Sequence, residues 1–197
     1  MKKIILNRLA ILGCCIALLT FASVTHTFGQ SSPVISIQRV TLFSSTTVVQ
    51  TGGSMLARTN DGIFMNYHTV GLVPGTVATF WVAAFNTPAG CAVPNGCTPA
   101  DLTNPNAHGS LIASGGRVIG ADGTATFGGF RAVGDTTGIE RGFAGGLVFP
   151  MTADIHLVVR THGAASTDPT VLTQQLTTFN GGCPPNTCAN IQQSLHE

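Results

Sequence analysis

Among the side chains of this 197-residue chain whose types bind anions or metals, four are candidates for a shared function: His68, and then His156, Arg160 and His162. The last three share one run, Asp154-Ile155-His156-Leu157-Val158-Val159-Arg160-Thr161-His162. A neutral imidazole ligates metals and carries protons near neutral pH. A guanidinium offers a planar fork of donors that matches carboxylate and phosphate. If the run is a β-strand, alternation puts His156, Val158, Arg160 and His162 on one face and Ile155, Leu157, Val159 and Thr161 on the other. The second set is expected to be buried, and the first to face solvent or line a groove. His156 and His162 would then stand roughly 20 Å apart, too far to share one ion unless the strand ends or bends at His162-Gly163. A mononuclear site would need His68 or His196 joined across strands to one of these histidines and Asp154. The chain has neither a His-x-His pair nor a His-Glu-x-x-His helix motif to demand one. These four residues are therefore expected to bind a ligand, with no catalytic residue, metal or cofactor assigned.

Other chemistries find less support. Ser114, in Ala113-Ser114-Gly115-Gly116, lacks the leading glycine of a Gly-x-Ser-x-Gly nucleophile elbow. No carboxylate pair stands out for glycoside hydrolysis. The glycine pairs at 115–116, 128–129 and 145–146 do not follow a strand and open a helix, so they read as bulges or loops and not as phosphate cradles.

Of the six cysteines, Cys91 and Cys97 bracket Ala-Val-Pro-Asn-Gly, and Cys183 and Cys188 bracket Pro-Pro-Asn-Thr. Three pairings of these four are open, and the short spacings favour Cys91–Cys97 and Cys183–Cys188. Each closed loop would contribute about 2 kcal/mol by restricting the unfolded chain. A structural zinc on all four is disfavoured, because the Cys91/Cys97 spacing exceeds the usual two to four intervening residues.

The disulfide reading depends on compartment, and the N-terminus supplies one. Lys2, Lys3 and Arg8 precede the apolar run Leu9 to Leu19, and small or polar residues follow at Ala22, Ser23, Thr25, Thr27 and Gly29. A basic, then apolar, then small-residue order is a secretory signal, here 1–29, cleaved after Gly29 or Gln30. The run is too short for a comfortable membrane span. Lipidation at Cys14 or Cys15 is the lesser alternative, because the apolar run continues past both. The expected destination is extracellular or periplasmic, with one domain over 30–197 and no transmembrane segment in it. That part keeps six arginines, eight acids and no lysine, a net charge of −2. Such a surface has no basic stripe to displace phosphate counterions, which excludes nucleic acid as a partner. A domain of this length buries about 70% of its unfolded surface.

The elements that must position these side chains read as strands. Short β-branched or aromatic runs alternate with Gly, Pro, Asn and Asp throughout, the all-β pattern. Strands are expected at Val34–Leu42, Ser54–Thr59, Ile63–Thr69 and Thr76–Phe85. The second and third are joined by an Asn60-Asp61-Gly62 hairpin, and Thr76–Phe85 is apolar on both faces and hence central. Residues 86–109, with four prolines and the first cysteine pair, read as a long loop. Leu111–Ile119 and Thr124–Val133 are expected to form a second hairpin through Ala121-Asp122-Gly123. A Gly-rich loop (134–146) and the histidine strand (154–162) follow. Thr170–Phe179 reads equally as short helix or strand, and Ala189–Glu197 as a last edge strand. About eight such strands predict an antiparallel β-sandwich, immunoglobulin-like or related, with two short disulfide-closed loops.

Four stretches carry a resemblance. They are Asn66-Tyr67-His68-Thr69-Val70-Gly71-Leu72-Val73-Pro74-Gly75, Trp81 to Cys91, His156 to Gly163, and Asn180-Gly181-Gly182-Cys183-Pro184-Pro185-Asn186-Thr187-Cys188. Together they resemble a group of exported bacterial proteins of unknown function. The resemblance implies a secreted single-domain β-protein and transfers no catalytic residue. More distantly, the Gly-Leu-x-Pro-Gly turn and the histidine strand are similar to chordin-repeat-type β-sandwiches, although this chain lacks their clustered histidines. The expectation is an exported, non-enzymatic module that binds a surface, glycan or protein ligand, or self-assembles. The alternative is a metal-dependent enzyme or metal-binding protein that uses the strand-face histidines.

Overall fold

The computed structural model describes residues 32–183 and 188–197. The expected signal segment 1–29, with Cys14 and Cys15, lies outside the described residues. Among the described residues, nine strands form a single sheet in the order β6-β3-β2-β1-β9-β8-β4-β5-β7, every pair antiparallel. In chain order they are β1 (Val34–Leu42), β2 (Val48–Thr59), β3 (Gly62–Thr69), β4 (Thr76–Phe85), β5 (Gly109–Val118), β6 (Ala125–Ala132), β7 (Ile139–Gly142), β8 (Asp154–Ala164) and β9 (Ala189–His196). One α-helix, α1 (Pro169–Thr177), lies between the last two. None of the described helices is long and apolar enough to cross a membrane.

The fold is therefore mostly antiparallel β, but not the two-sheet sandwich expected: one sheet curls until its inner face packs on itself. Tyr67 of β3 and Phe80 of β4 stand five places apart in strand order, yet their ring centroids are 5.3 Å apart. Phe80 in turn stacks on Phe127 of β6 at 5.2 Å. The inner core continues through Val40, Leu56, Ile63, Val82, Ile112, Ile155, Leu157 and Val159. Across the opening, Arg117 of β5 donates to the Thr126 carbonyl of β6 at 3.0 Å.

Local signals placed most strands well. β1 and β4 begin and end where the apolar runs do, and the turn at Asn60-Asp61 joins β2 to β3 as a hairpin. The second hairpin does not form. β5 pairs with β4 and β7, whereas β6 pairs with β3 at the other end of the sheet. The Asp122-Gly123 turn explains the divergence. Asp122 accepts from the Thr124 amide and hydroxyl, and the Gly123 carbonyl accepts from the Leu72 amide at 3.0 Å. That contact hands the chain to the end of β3 in place of folding it back on β5. β9 likewise is not an edge strand but sits between β1 and β8.

The ambiguous segment after Gly163 is helical. Asp168 caps it by accepting from the Thr170 and Val171 amides, and Pro169 fills the first turn, where no amide is needed. Buried Gln175 fastens α1 to β8 through the His162 and Ala164 carbonyls and the Ser166 amide.

Candidate functional site

The two faces of β8 separate as alternation requires. Ile155, Leu157 and Val159 enter the inner core. The opposite set does not face solvent: His156, Val158, Arg160 and His162 are all buried on the outer side of the sheet. Two non-local segments cover them. One is loop 86–109, which packs Leu102, Ala107 and the Cys91–Cys97 disulfide against Trp81, Phe85 and Leu111. The other is the chain after α1, where Phe179 meets the Trp81 indole edge-on at 5.0 Å.

Loop 86–109 holds its shape through Asp101. Its carboxylate accepts from the amides of Ala92 (2.7 Å) and Thr98 (2.9 Å), the Thr98 hydroxyl (2.9 Å) and the Asn104 amide (3.3 Å). These bonds favour the ionised form and hold its pKa down at about 2.

Between the loop and the chain after α1 lies a cavity of about 210 Å³, walled by Phe43, Phe85, Leu102 and Phe179, with Arg141, Arg160 and His156 as its charged or titratable members. The two guanidiniums flank one ring: Arg160 Cζ lies 3.9 Å and Arg141 Cζ 4.4 Å from the Phe179 centroid, within cation–π range. Arg160 is anchored by donating to the Phe179 carbonyl (2.7 Å), Asn190 Oδ1 (2.9 Å), Asn180 Oδ1 (2.9 Å) and the Cys188 carbonyl (3.2 Å). Burial pulls its pKa below the ordinary guanidinium value, and repulsion from Arg141 adds to this. Arg141, on β7, is exposed. Among the described residues Arg131 pairs with Asp135 and His156 contacts Asp154, and no carboxylate lies within ion-pair distance of either guanidinium at Phe179. Nor do serine, cysteine, aspartate or glutamate line the cavity. The arrangement can hold an anion against an aromatic wall.

Two of the four residues expected from sequence, His156 and Arg160, thus meet in one pocket. His156 Nε2 lies 3.2 Å from Asp154 Oδ2, and its ring packs edge-on against Phe85 at 5.1 Å. His162 is held elsewhere, six residues further along β8, next to a register shift between Thr161 and Ala164 in the pairing with β4. Its Nε2 faces Thr79 Oγ1 at 2.9 Å and its Nδ1 faces the Gly181 carbonyl at 3.1 Å. Burial lowers its pKa, opposed by the Gly181 contact and assisted by Arg160. His68 is exposed on β3, four strands from β8, with Nδ1 3.0 Å from Thr126 Oγ1. No single site gathers all four.

A further buried cluster forms at the start of β8. Arg58 donates to the carbonyls of Pro150 (2.8 Å), Ala153 (2.7 Å) and His196 (2.6 Å). Its pKa is lowered by burial and partly restored by Asp154. His196 is fully buried between Ser36 (2.7 Å) and Ser54 (2.8 Å), and burial, reinforced by Arg58, brings its pKa down to about 4. It is a satisfied core histidine, with its ring nitrogens spent on hydroxyls.

Sequence reasoning missed Arg141, Phe179 and Asn190. Arg141 lay within a glycine-rich loop, and no periodicity marks a strand of four residues. Asn190 is the cross-strand partner of Arg160, visible only once β9 is known to pair with β8. Comparison of the chain with protein-family models, curated proteins and solved structures finds no match in any of the three.

Proposed function

We propose that the chain is an exported, non-enzymatic binding module whose outer-face pocket takes a small organic anion, a carboxylate on a compact apolar or planar skeleton. The observation that carries this reading is the pair of guanidiniums on Phe179 with no carboxylate to neutralise them. Around them the wall is aromatic and aliphatic. The volume of about 210 Å³ corresponds to about seven waters at ~30 Å³ each, room for a group of amino-acid size. A protein or glycan partner would then present one acidic group to the pocket and not fill it with a large ligand. Two disulfides and the absence of a membrane-length helix among the described residues are compatible with export.

Calorimetry and ligand-detected NMR with benzoate and benzamide test the proposal. Benzoate should bind and benzamide should not, because only the anion gains charge-assisted bonds worth about 1.5–3 kcal/mol. Arg141→Gln, at an exposed position, should weaken benzoate about tenfold or more without altering the fold. Equal binding of acid and amide, or an unaffected R141Q protein, would sink the reading. For self-assembly, the supporting feature is an outer row across four strands in direct register, with Ile35, Phe64 and Phe130 exposed and Ala57 half-buried between them. A single monomeric species by sedimentation at high concentration would remove that case.

A further inference from the structure

The two disulfides sit in different chemical surroundings. Cys91–Cys97 is packed in the apolar cluster of Trp81, Phe85 and Leu102, and Cys97 Sγ approaches the Pro88 carbonyl at 3.9 Å. Cys183–Cys188 instead rests on an imidazole: His162 Nδ1 lies 3.4 Å from Cys183 Sγ and 3.2 Å from Cys188 Sγ. Among the described residues, this is the one group of three histidine, cysteine or carboxylate side chains whose ligand atoms all lie within 4.8 Å of one another.

From this geometry we propose a redox-gated metal site: when the Cys183–Cys188 disulfide is reduced, both thiolates and His162 Nδ1 bind one Zn²⁺, with a fourth position open to water. Tetrahedral zinc, with Zn–S of about 2.3 Å and Zn–N of about 2.0 Å, requires S···N separations of about 3.5 Å. The observed values are already within a few tenths of an ångström of that. The sulfurs must part to about 3.8 Å, while their Cα atoms stand 5.6 Å apart and are tied by a short loop.

The surroundings also orient the imidazole. Thr79 Oγ1 accepts from the Trp81 indole at 2.7 Å, which fixes the hydroxyl beside His162 Nε2. With Nδ1 on zinc, the ring proton sits on Nε2 and donates to Thr79 Oγ1, the outer-shell bond that metal-bound histidines ordinarily make. The Thr79 hydroxyl can then donate its hydrogen bond to the Arg160 carbonyl, 3.5 Å away. Arg160 donates to the Cys188 carbonyl and so holds the second cysteine in place. An external dithiol supplies two electrons and two protons to break the S–S bond and is itself oxidised to a disulfide. Zn²⁺ then displaces the two thiol protons, and the imidazole changes tautomer without net proton release. None of the three ligands lines the anion pocket, although Arg160 serves both places, and the metal site does not depend on the function proposed for that pocket.

The test uses untagged protein, oxidised or reduced with a phosphine, titrated anaerobically with Co²⁺ and then with Zn²⁺ against a chromophoric chelator. The reduced protein should bind one equivalent with a thiolate-to-cobalt charge-transfer band, at least 100-fold more tightly than the oxidised form. Cys183→Ser/Cys188→Ser should abolish the band, and Cys91→Ser/Cys97→Ser should retain it. His162→Gln should weaken zinc at least tenfold. Because that variant removes a buried group, the ring ¹⁵N shifts of His162 in unaltered protein provide a second readout and should move on adding zinc. No difference between reduced and oxidised protein, a band that survives loss of Cys183 and Cys188, or an unmoved His162 ring would each overturn the assignment.

Discussion

Replacing Asp101 with alanine should loosen the loop that walls the pocket. The carboxylate lies in a five-residue 3₁₀ turn (Pro99–Thr103) and gathers four donors, two of them backbone amides. In Asp101→Ala the Ala92 and Thr98 amides lose their acceptor, at about 1 kcal/mol each at the lower end for orphaned groups, since both residues are partly open to water. The lost side-chain bonds raise the total to about 2–3 kcal/mol. For a domain of this size that is a melting shift of about 5–10 °C.

The effect should depend on pH in a defined direction. Asp101 is held at about 2 in the fold against 3.8 ordinarily. As pH falls, the unfolded chain therefore takes up its proton first. The stabilisation is fully present above about pH 4 to 5 and is lost as pH falls from 3.8 towards 2. Urea denaturation of both proteins from pH 7 to 2 measures this. The gap should be constant to about pH 5 and close at the acid end. A pH-independent gap would show that the carboxylate acts by shape alone. A melting shift under about 2 °C would show that the disulfide and Leu102 hold the loop without it.

A β-carbon added at Gly116 would lie 2.2 Å from the Leu176 carbonyl in α1. Gly116→Ala should therefore push the helix off β5 and cost about 1–3 kcal/mol by denaturant midpoint, whereas Gly53→Ala, whose β-carbon would meet nothing within 4 Å, should change little. Because burial depresses the His196 pKa from 6.5 to about 4, the unfolded chain binds that proton first. Its contribution is complete above pH 6.5 and lost as pH falls towards 4. The denaturation midpoint should decline across that window, and His196→Gln should flatten the decline. An identical slope in the variant would refute the linkage.

Much of the chain was legible where the physics is local. Val34–Leu42 and Thr76–Phe85 are strands over the expected residues, and Asn60-Asp61 makes its turn. Both cysteine pairs close as their short spacings favour. The alternation of β8 correctly sends Ile155, Leu157 and Val159 to the core. For the other face alternation left open solvent or a groove; His156, Val158 and Arg160 line the cavity, and His162 is buried apart from it. Nothing in residues 154–162 says that Leu102 and Phe179, from distant segments, will cover that face. The turn at Asp122-Gly123 shows a subtler limit, since its side-chain bonds are local and expected, whereas the Leu72 amide that redirects it to β3 is not.

By itself, then, the amino-acid sequence determined most of the strands, the hairpin turn and the chemical types available for binding, and it favoured the cysteine pairs that form. Each depends on interactions among residues close in the chain. Tertiary structure alone decided that one sheet would curl in place of two stacking, and that β9 would enter its centre. It also decided that Arg141 and Arg160 would meet across Phe179 and that His162 would turn to Cys183 and Cys188. Those outcomes follow from pairings between residues tens of positions apart, chosen by the burial of whole faces, and no local pattern encodes that choice.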